Sequence, residues 1–119
     1  MATGFLTTHV LDTARGVPAA GLVISLFSVE EDSYQLITTM TTNADGRTDS
    51  PILPADMFQA GRYRLVFHAG AYLQTHFTDL PDPKFLSDIP IDFAMADPTS
   101  HYHVPLLLSP FGYSTYRGS

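Results

Sequence analysis

Short runs of strand-forming residues, separated by clusters of turn residues, extend along the whole of this 119-residue sequence. Threonine, aliphatic and aromatic residues fill the runs, and nine prolines and eight glycines interrupt them. β-Branched and aromatic residues favour strands, whereas proline and glycine favour the turns between them. The pattern therefore predicts a single all-β domain over residues 1–119, a β-sandwich of about seven or eight strands with one short helix.

The boundaries of the runs predict where the individual elements lie. Tyr72, Thr75 and His76 have the i, i+3, i+4 spacing of a helix, which places the short helix at residues 70–77. Pro90 has no N–H to donate, so its strand is predicted to begin irregularly or to lie at a sheet edge. The predicted strands are 5–11, 22–29, 34–42, 61–69, 88–95, 101–108 and 113–119.

Charge and composition argue against several classes of protein. The net charge of −6 offers no basic face for nucleic acid, and the absence of cysteine excludes disulfides and thiolate chemistry. No stretch approaches the roughly 20 apolar residues of a membrane span. The opening MATGFLTTHVL lacks the basic region and long apolar run of a signal peptide. We therefore expect a cytoplasmic protein that binds neither nucleic acid nor membranes.

The last two predicted strands form a hairpin with residues 110 and 111 at the centre of its turn. Antiparallel pairing then places His103 opposite Gly118. Because side chains alternate along a strand, one face of the hairpin carries His103, Ser114 and Tyr116. A one-residue change in register would exchange the two faces. The other face is more uniformly apolar and is predicted to lie in the core; it comprises Tyr102, Val104, Leu106, Leu108, Tyr113 and Thr115.

Three separated segments, HVLDTARGVPA, TNADGR and HYHVPLLLSPFGYSTYRGS, follow one another along the chain. In this order they resemble the transthyretin-related 5-hydroxyisourate hydrolases, and the terminal YRGS resembles the signature of that family's hydrolase branch. Transthyretin, the thyroid-hormone carrier, is similar in fold but lacks YRGS. It has lysine, glutamate and threonine at the positions of His9, Arg47 and His103. The resemblance therefore implies the hydrolase branch.

The resemblance also implies a fold, an assembly and a reaction. The fold is a transthyretin-like (prealbumin-like) sandwich of two four-stranded sheets. The assembly is a homotetramer, a dimer of dimers, with active sites at the dimer–dimer interface. The reaction is hydrolysis of a ring amide of the small-molecule substrate 5-hydroxyisourate in urate degradation, a branch of purine catabolism. It yields 2-oxo-4-hydroxy-4-carboxy-5-ureidoimidazoline, and neither a metal nor another cofactor is implied.

Opening a cyclic amide requires an activated water, a stabilised oxyanion and a protonated leaving nitrogen. His9 and His103 match hydrolase motif positions and are the candidate acid–base pair, with the general base left unassigned between them. Arg47 is permanently charged and presents a planar fork of donors, so it is the candidate for stabilising the oxyanion. Ser114 and Tyr116 are predicted to bind the substrate together with His9 and Arg47.

Two alternatives to this function stay open from the residues alone. A small-ligand carrier of the transthyretin type would use the central channel that the same tetramer forms at its dimer–dimer interface. A metal-dependent hydrolase is the other, because His101 and His103 share a strand face and could bind zinc together with His9. Arg117 is predicted to lie on the face opposite His103 and to fix the terminal segment, for example by pairing with a carboxylate. His68 and His76 are predicted to be structural.

Overall fold

The computed structural model describes residues 3–118 and confirms the predicted all-β sandwich of two four-stranded sheets. The strand order is β2-β1-β7-β8 in the first sheet and β4-β3-β5-β6 in the second. A 3₁₀ turn covers Ala55–Met57. The elements are β1 (Phe5–Asp12), β2 (Val17–Pro18), β3 (Val23–Glu30), β4 (Ser33–Thr41), β5 (Gly61–His68), α1 (Ala69–His76), β6 (Asp88–Met95), β7 (His101–Ser109) and β8 (Gly112–Thr115).

One strand pair in the first sheet joins the two ends of the chain. β1 and β7 are parallel, with Thr7 opposite His103 and His9 opposite Pro105. All other pairs are antiparallel. Parallel neighbours need a long connection, and here the whole second sheet supplies it. The first and last long strands of the chain are thus side by side.

Alternation along β1 and β7 decides which residues form the core. Leu6, Thr8 and Val10 on β1 are buried, whereas Thr7 and His9 between them are half-buried on the outer face of the sheet. Burying each such aliphatic side chain contributes about 1.5–3 kcal/mol relative to exposure. The predicted inner face of β7 is confirmed, because its four residues are buried: Tyr102, Val104, Leu106 and Leu108.

The structure differs from the sequence prediction at the end of the chain. β8 stops at Thr115 rather than continuing as a strand to the terminus, although Gly118 still bridges to His103 as predicted. Tyr113 and Thr115, predicted to be core, are exposed. The two sheets separate at this edge and leave a cavity of about 250 Å³ between β6 and the terminal segment. Inward-facing residues of β8 therefore lack a packing partner there.

Smaller differences have local causes. β2 forms within a segment predicted as a turn, because Leu11 and Asp12 pair with Pro18 and Val17. The helix begins one residue early, at Ala69, where the Ser87 carbonyl accepts the first two helical N–H groups. β6, which contains Pro90, is an edge strand as predicted. Over residues 3–118, no helix combines the length and apolar character that crossing a bilayer requires.

Candidate active site

His9 and His103 lie on the outer face of the first sheet, on the neighbouring strands β1 and β7. Because His9 pairs with Pro105 in the parallel register, the imidazoles of His9 and His103 are diagonal neighbours. Their ring centroids are 6.5 Å apart and the ring planes are inclined by 42°. One small polar substrate group can therefore contact both rings at once.

The loop between β4 and β5 runs past the first sheet and places Arg47 beside these histidines. The Asn43 side-chain oxygen accepts hydrogen bonds from the backbone N–H groups of Asp45 and Arg47, at 2.9 and 3.2 Å. Gly46 has a φ of 74°, and a Cβ on it would lie 2.4 Å from the carbonyl oxygen of Val10. Only glycine fits this turn. The turn lets Arg47 form an antiparallel bridge with His9.

A cavity of about 450 Å³ opens beside His103 and Arg47. Arg47 and Asp49 give it one positive and one negative side chain. Sequence reasoning missed Thr7, Asp49 and Ser50, and considered His101 only as a metal ligand. Thr7 could have been found from the sequence, because it is two residues from His9 in the same strand and therefore shares its face. The lining residues are Thr7, Thr8, Arg47, Thr48, Asp49, Ser50, Pro51, His101 and His103.

The hydrogen bond of His9 fixes its tautomer. Its Nε2 lies 2.9 Å from the carbonyl oxygen of Asp45. A carbonyl oxygen only accepts, so Nε2 carries the hydrogen and the lone pair of the neutral ring is on Nδ1. Burial, followed by the positive charge of Arg47, lowers the pKa of His9, against a smaller opposing effect of Asp45. Neutral His9 can thus accept a proton at Nδ1.

His103 is held at its other ring nitrogen. Its Nδ1 lies 2.8 Å from the hydroxyl oxygen of Thr7. Burial lowers the pKa of His103, and the neighbouring Arg47, His101 and His9 lower it further. Near neutral pH both His9 and His103 are therefore mainly neutral, the form that removes a proton from water.

The terminal segment packs directly on His103. The Gly118 N–H donates to the His103 carbonyl oxygen at 2.6 Å, and a Cβ on Gly118 would lie 2.8 Å from His103 Cδ2. Arg117 lies on the opposite face, as predicted, and packs on an aromatic ring; among residues 3–118 it forms no ion pair with a carboxylate. Its Cζ is 4.4 Å from the centroid of the Tyr102 ring. Ser119, the last residue of YRGS, is outside the described residues.

Ser114 and Tyr116 lie apart from this cluster within one chain. Ser114 pairs with Leu107 and is exposed. Tyr116 is 58% exposed and lines the cavity between the sheets, together with Tyr102. The single chain therefore brings together His9, Arg47 and His103, and does not bring Ser114 or Tyr116 to them. Their assignment to substrate binding stays a prediction.

The three site histidines do not converge on a common point that a zinc ion could occupy. The Thr7 hydroxyl oxygen lies between His101 Nε2 and His103 Nδ1, at 2.6 and 2.8 Å. His9 directs its Nε2 to a carbonyl instead. Within residues 3–118, no three histidine, aspartate or glutamate side chains are placed to share a metal ion. The donor set thus does not fit the zinc alternative.

A second polar cluster has the atom order of a Ser-His-Asp triad. His68 Nδ1 is 3.0 Å from Asp88 Oδ1, and its Nε2 is 3.0 Å from Ser25 Oγ. Ser25 is only 6% exposed, and it lies on β3 between β4 and β5. The backbone N–H groups around it are engaged in the two strand ladders and offer no oxyanion hole. We interpret this cluster as a cross-strand polar contact, as predicted for His68.

Comparison with known proteins gives consistent matches over nearly the whole chain. The model of the HIUase/Transthyretin family matches residues 6–118. 5-Hydroxyisourate hydrolase 2 of Rhizobium meliloti (strain 1021) is 58% identical over 117 residues, which cover 98% of each chain. The structure of Klebsiella pneumoniae 5-hydroxyisourate hydrolase is 35% identical, covers 100% of both chains and gives a TM-score of 0.78. Transthyretin from Sparus aurata is 28% identical over 95% of each chain, with a TM-score of 0.83.

Proposed function

This chain belongs to the HIUase/Transthyretin family, and from that premise we propose that it hydrolyses 5-hydroxyisourate with His9, Arg47 and His103 as catalytic residues. The enzyme class follows from relatives that are 5-hydroxyisourate hydrolases at 58% and 57% identity over 98% of this chain. The observation that carries the residue assignment is that His9 lies beside both His103 and Arg47 on the outer face of the first sheet, where Arg47 and His103 line one cavity.

In the proposed reaction, a neutral histidine removes a proton from water as the water attacks the ring amide carbon. The carbonyl oxygen becomes an oxyanion, and the Arg47 guanidinium stabilises it. Collapse of the tetrahedral intermediate breaks the C–N bond, and an imidazolium gives its proton to the leaving nitrogen. The ring opens to a carboxylate and a ureido group, as in 2-oxo-4-hydroxy-4-carboxy-5-ureidoimidazoline. No cofactor takes part.

The carrier alternative is not favoured. Transthyretin shares the fold, but its identity to this chain is 28%, against 58% for a hydrolase relative. A carrier also has no use for two neighbouring imidazoles whose pKa values are both lowered by burial and by the same arginine.

We also propose that the enzyme is a homotetramer, a dimer of dimers, with its active sites at the dimer–dimer interface. Leu11 and Leu107 pair directly on the outer face of the first sheet, and so place half-buried apolar surface beside the histidines. β6 and β8 are sheet edges, which can pair with another chain. In that assembly Ser114 and Tyr116 complete the substrate site. Light scattering after size exclusion tests the mass, and a monomer contradicts the proposal.

For the location of the enzyme we propose the cytoplasm, in line with the expectation from the sequence. Fractionation of cells that produce the full-length protein tests it, and recovery with the membrane or secreted fraction contradicts it.

The decisive activity test uses 5-hydroxyisourate freshly made with urate oxidase, whose decay is followed in the ultraviolet. The wild-type protein should accelerate decay above the spontaneous rate, with or without a chelator, and no acceleration refutes the function. His103→Ala and Arg47→Ala should each fold and assemble normally while losing at least about 100-fold in kcat/KM. His76→Ala, in an exposed residue of α1, is the matched control. Loss of assembly instead would make the two residues structural.

A further inference from the structure

Thr7 bridges two histidines with a single hydroxyl group. Its Oγ1 is 2.6 Å from His101 Nε2 and 2.8 Å from His103 Nδ1. The parallel register sets this arrangement, since Thr7 is directly opposite His103 and Phe5 is directly opposite His101. The Phe5 ring stacks on the His101 ring at a centroid distance of 4.1 Å and an angle of 10°. The His101 imidazole is therefore held in place on both its face and its edge.

A hydroxyl has one hydrogen, so it can donate to only one of the two rings. If it donates to His103 Nδ1, the neutral His103 ring carries its hydrogen on Nε2 and cannot accept a proton there. If it donates to His101 Nε2, His103 donates from Nδ1 and keeps its lone pair on Nε2. If both rings donate, the hydroxyl hydrogen has no partner within residues 3–118. The tautomers of the two rings are thus coupled through Thr7.

The hydrogen bonds around His103 leave Nε2 as the ring nitrogen that can keep the lone pair. Thr7 occupies Nδ1, so Nε2 is the ring nitrogen without a hydrogen-bond partner within residues 3–118. Arg47 lines the same cavity as His103. His9 on β1 carries its hydrogen on Nε2, and Asp49 is the carboxylate of the cavity.

We propose that Thr7 and His101 are positioning residues that hold neutral His103 as the Nδ1–H tautomer, so that His103 Nε2 is the general base. Thr7 accepts from His103 Nδ1 and donates to His101 Nε2, and this pair of bonds also fixes the plane of the catalytic ring. The inference rests on the proposed hydrolase function and deepens it, because it assigns the base and names two residues that serve it without touching the reacting atoms.

Thr7→Val removes the hydroxyl and preserves the shape of the side chain, and Thr7→Ser restores the hydroxyl. We expect Thr7→Val to lower kcat by about 10- to 100-fold with KM within about 2-fold, and Thr7→Ser to recover most of kcat. His101→Phe keeps a ring against Phe5 but has no nitrogen, and it should lower kcat to a similar extent. The double variant should lose no more than the worse single variant, because the two residues act as one unit. Wild-type kcat in Thr7→Val, or losses that multiply, would overturn the proposal.

Nitrogen-15 NMR of the imidazoles gives a readout that does not depend on activity. In the wild-type protein His103 should show a protonated Nδ1 and an unprotonated Nε2 when neutral, and Thr7→Val should move the hydrogen to Nε2. His9, which donates to Asp45, should not change and serves as the internal control. An unchanged His103 tautomer in Thr7→Val refutes the inference. If Thr7→Val does not fold, His101→Phe, which removes the ring nitrogen that Thr7 contacts, is compared with Thr7→Ser, which keeps the hydroxyl. If the wild-type protein has no hydrolase activity, the proposed function is refuted. The NMR measurement of the His103 tautomer then still tests whether Thr7 and His101 set it.

Discussion

Replacing Gly118 with alanine tests whether the terminal segment positions the catalytic His103. A Cβ on Gly118 would lie 2.8 Å from His103 Cδ2 and 3.2 Å from His103 Cβ. The first of these distances is well below the 3.4 Å at which ordinary contact begins. Because His103 pairs with Thr7 in the β1–β7 ladder, its backbone is held by that strand. The imidazole or the terminal segment must therefore move by at least about 0.6 Å.

A displacement of this size is large on the scale of catalysis. Misplacing a reacting group by about 1 Å can cost about 100-fold in rate, so we expect Gly118→Ala to lower kcat by about 10- to 100-fold. Gly118 is only half-buried and belongs to no strand ladder beyond one bridge. The free energy of unfolding should therefore change by less than about 1 kcal/mol.

The assay is the ultraviolet decay of 5-hydroxyisourate, combined with urea unfolding of the same preparations. Gly112→Ala is the matched control, because a Cβ there meets only Ser109 Oγ at 3.7 Å, an ordinary contact. It should keep wild-type kcat and stability. A Gly118→Ala variant with wild-type kcat would refute the view that the terminal segment positions the histidine.

Two further predictions concern the loop that carries Arg47. Burial and, after it, the charge of Arg47 lower the pKa of both catalytic histidines. Because only neutral imidazole accepts a proton, the fall of kcat/KM on the acid side should lie below pH 6.5. In Arg47→Gln the acid-side fall of kcat/KM should move to higher pH, whereas in Arg47→Lys it should stay in place. The same acid-side midpoint for both variants in pH–rate profiles would contradict this. Gly46→Ala forces a Cβ against the Val10 carbonyl and should cost about 2–4 kcal/mol of unfolding free energy in urea titrations. Gly16→Ala, with a similar φ but open space, should cost only about 1 kcal/mol; equal costs would refute the contact.

Local chemistry explains what the sequence could predict. The register of the last hairpin follows from its two-residue turn, and the predicted pairing of His103 with Gly118 is confirmed. The inner face of β7 was also predictable from alternation. The exposure of Tyr113 was not predictable, because it depends on how far the second sheet extends at that edge. No local sequence pattern encodes that extent.

Long-range pairing explains what the sequence could not predict. Nothing within β1 or β7 states that the two strands are neighbours, so the meeting of His9 and His103 was accessible only through family resemblance. Thr7 was overlooked because a threonine in a strand is ordinary, and its role depends on the opposite strand. For Arg117, an aromatic ring and a carboxylate are both acceptable partners, and only the packing of the terminal segment selects Tyr102.

The parallel pairing of β1 with β7 has a consequence for synthesis on the ribosome. The hydrogen bonds that Thr7 forms with His101 and His103 span 94 and 96 residues. At about 5–20 residues per second, β1 emerges several seconds before the strand that completes its sheet. Until then it carries an unpaired edge, which is a hazard for aggregation in the nascent chain. Enzyme activity thus reports that translation has reached the last strands, since a prematurely released chain contains His9 and Arg47 but no His103.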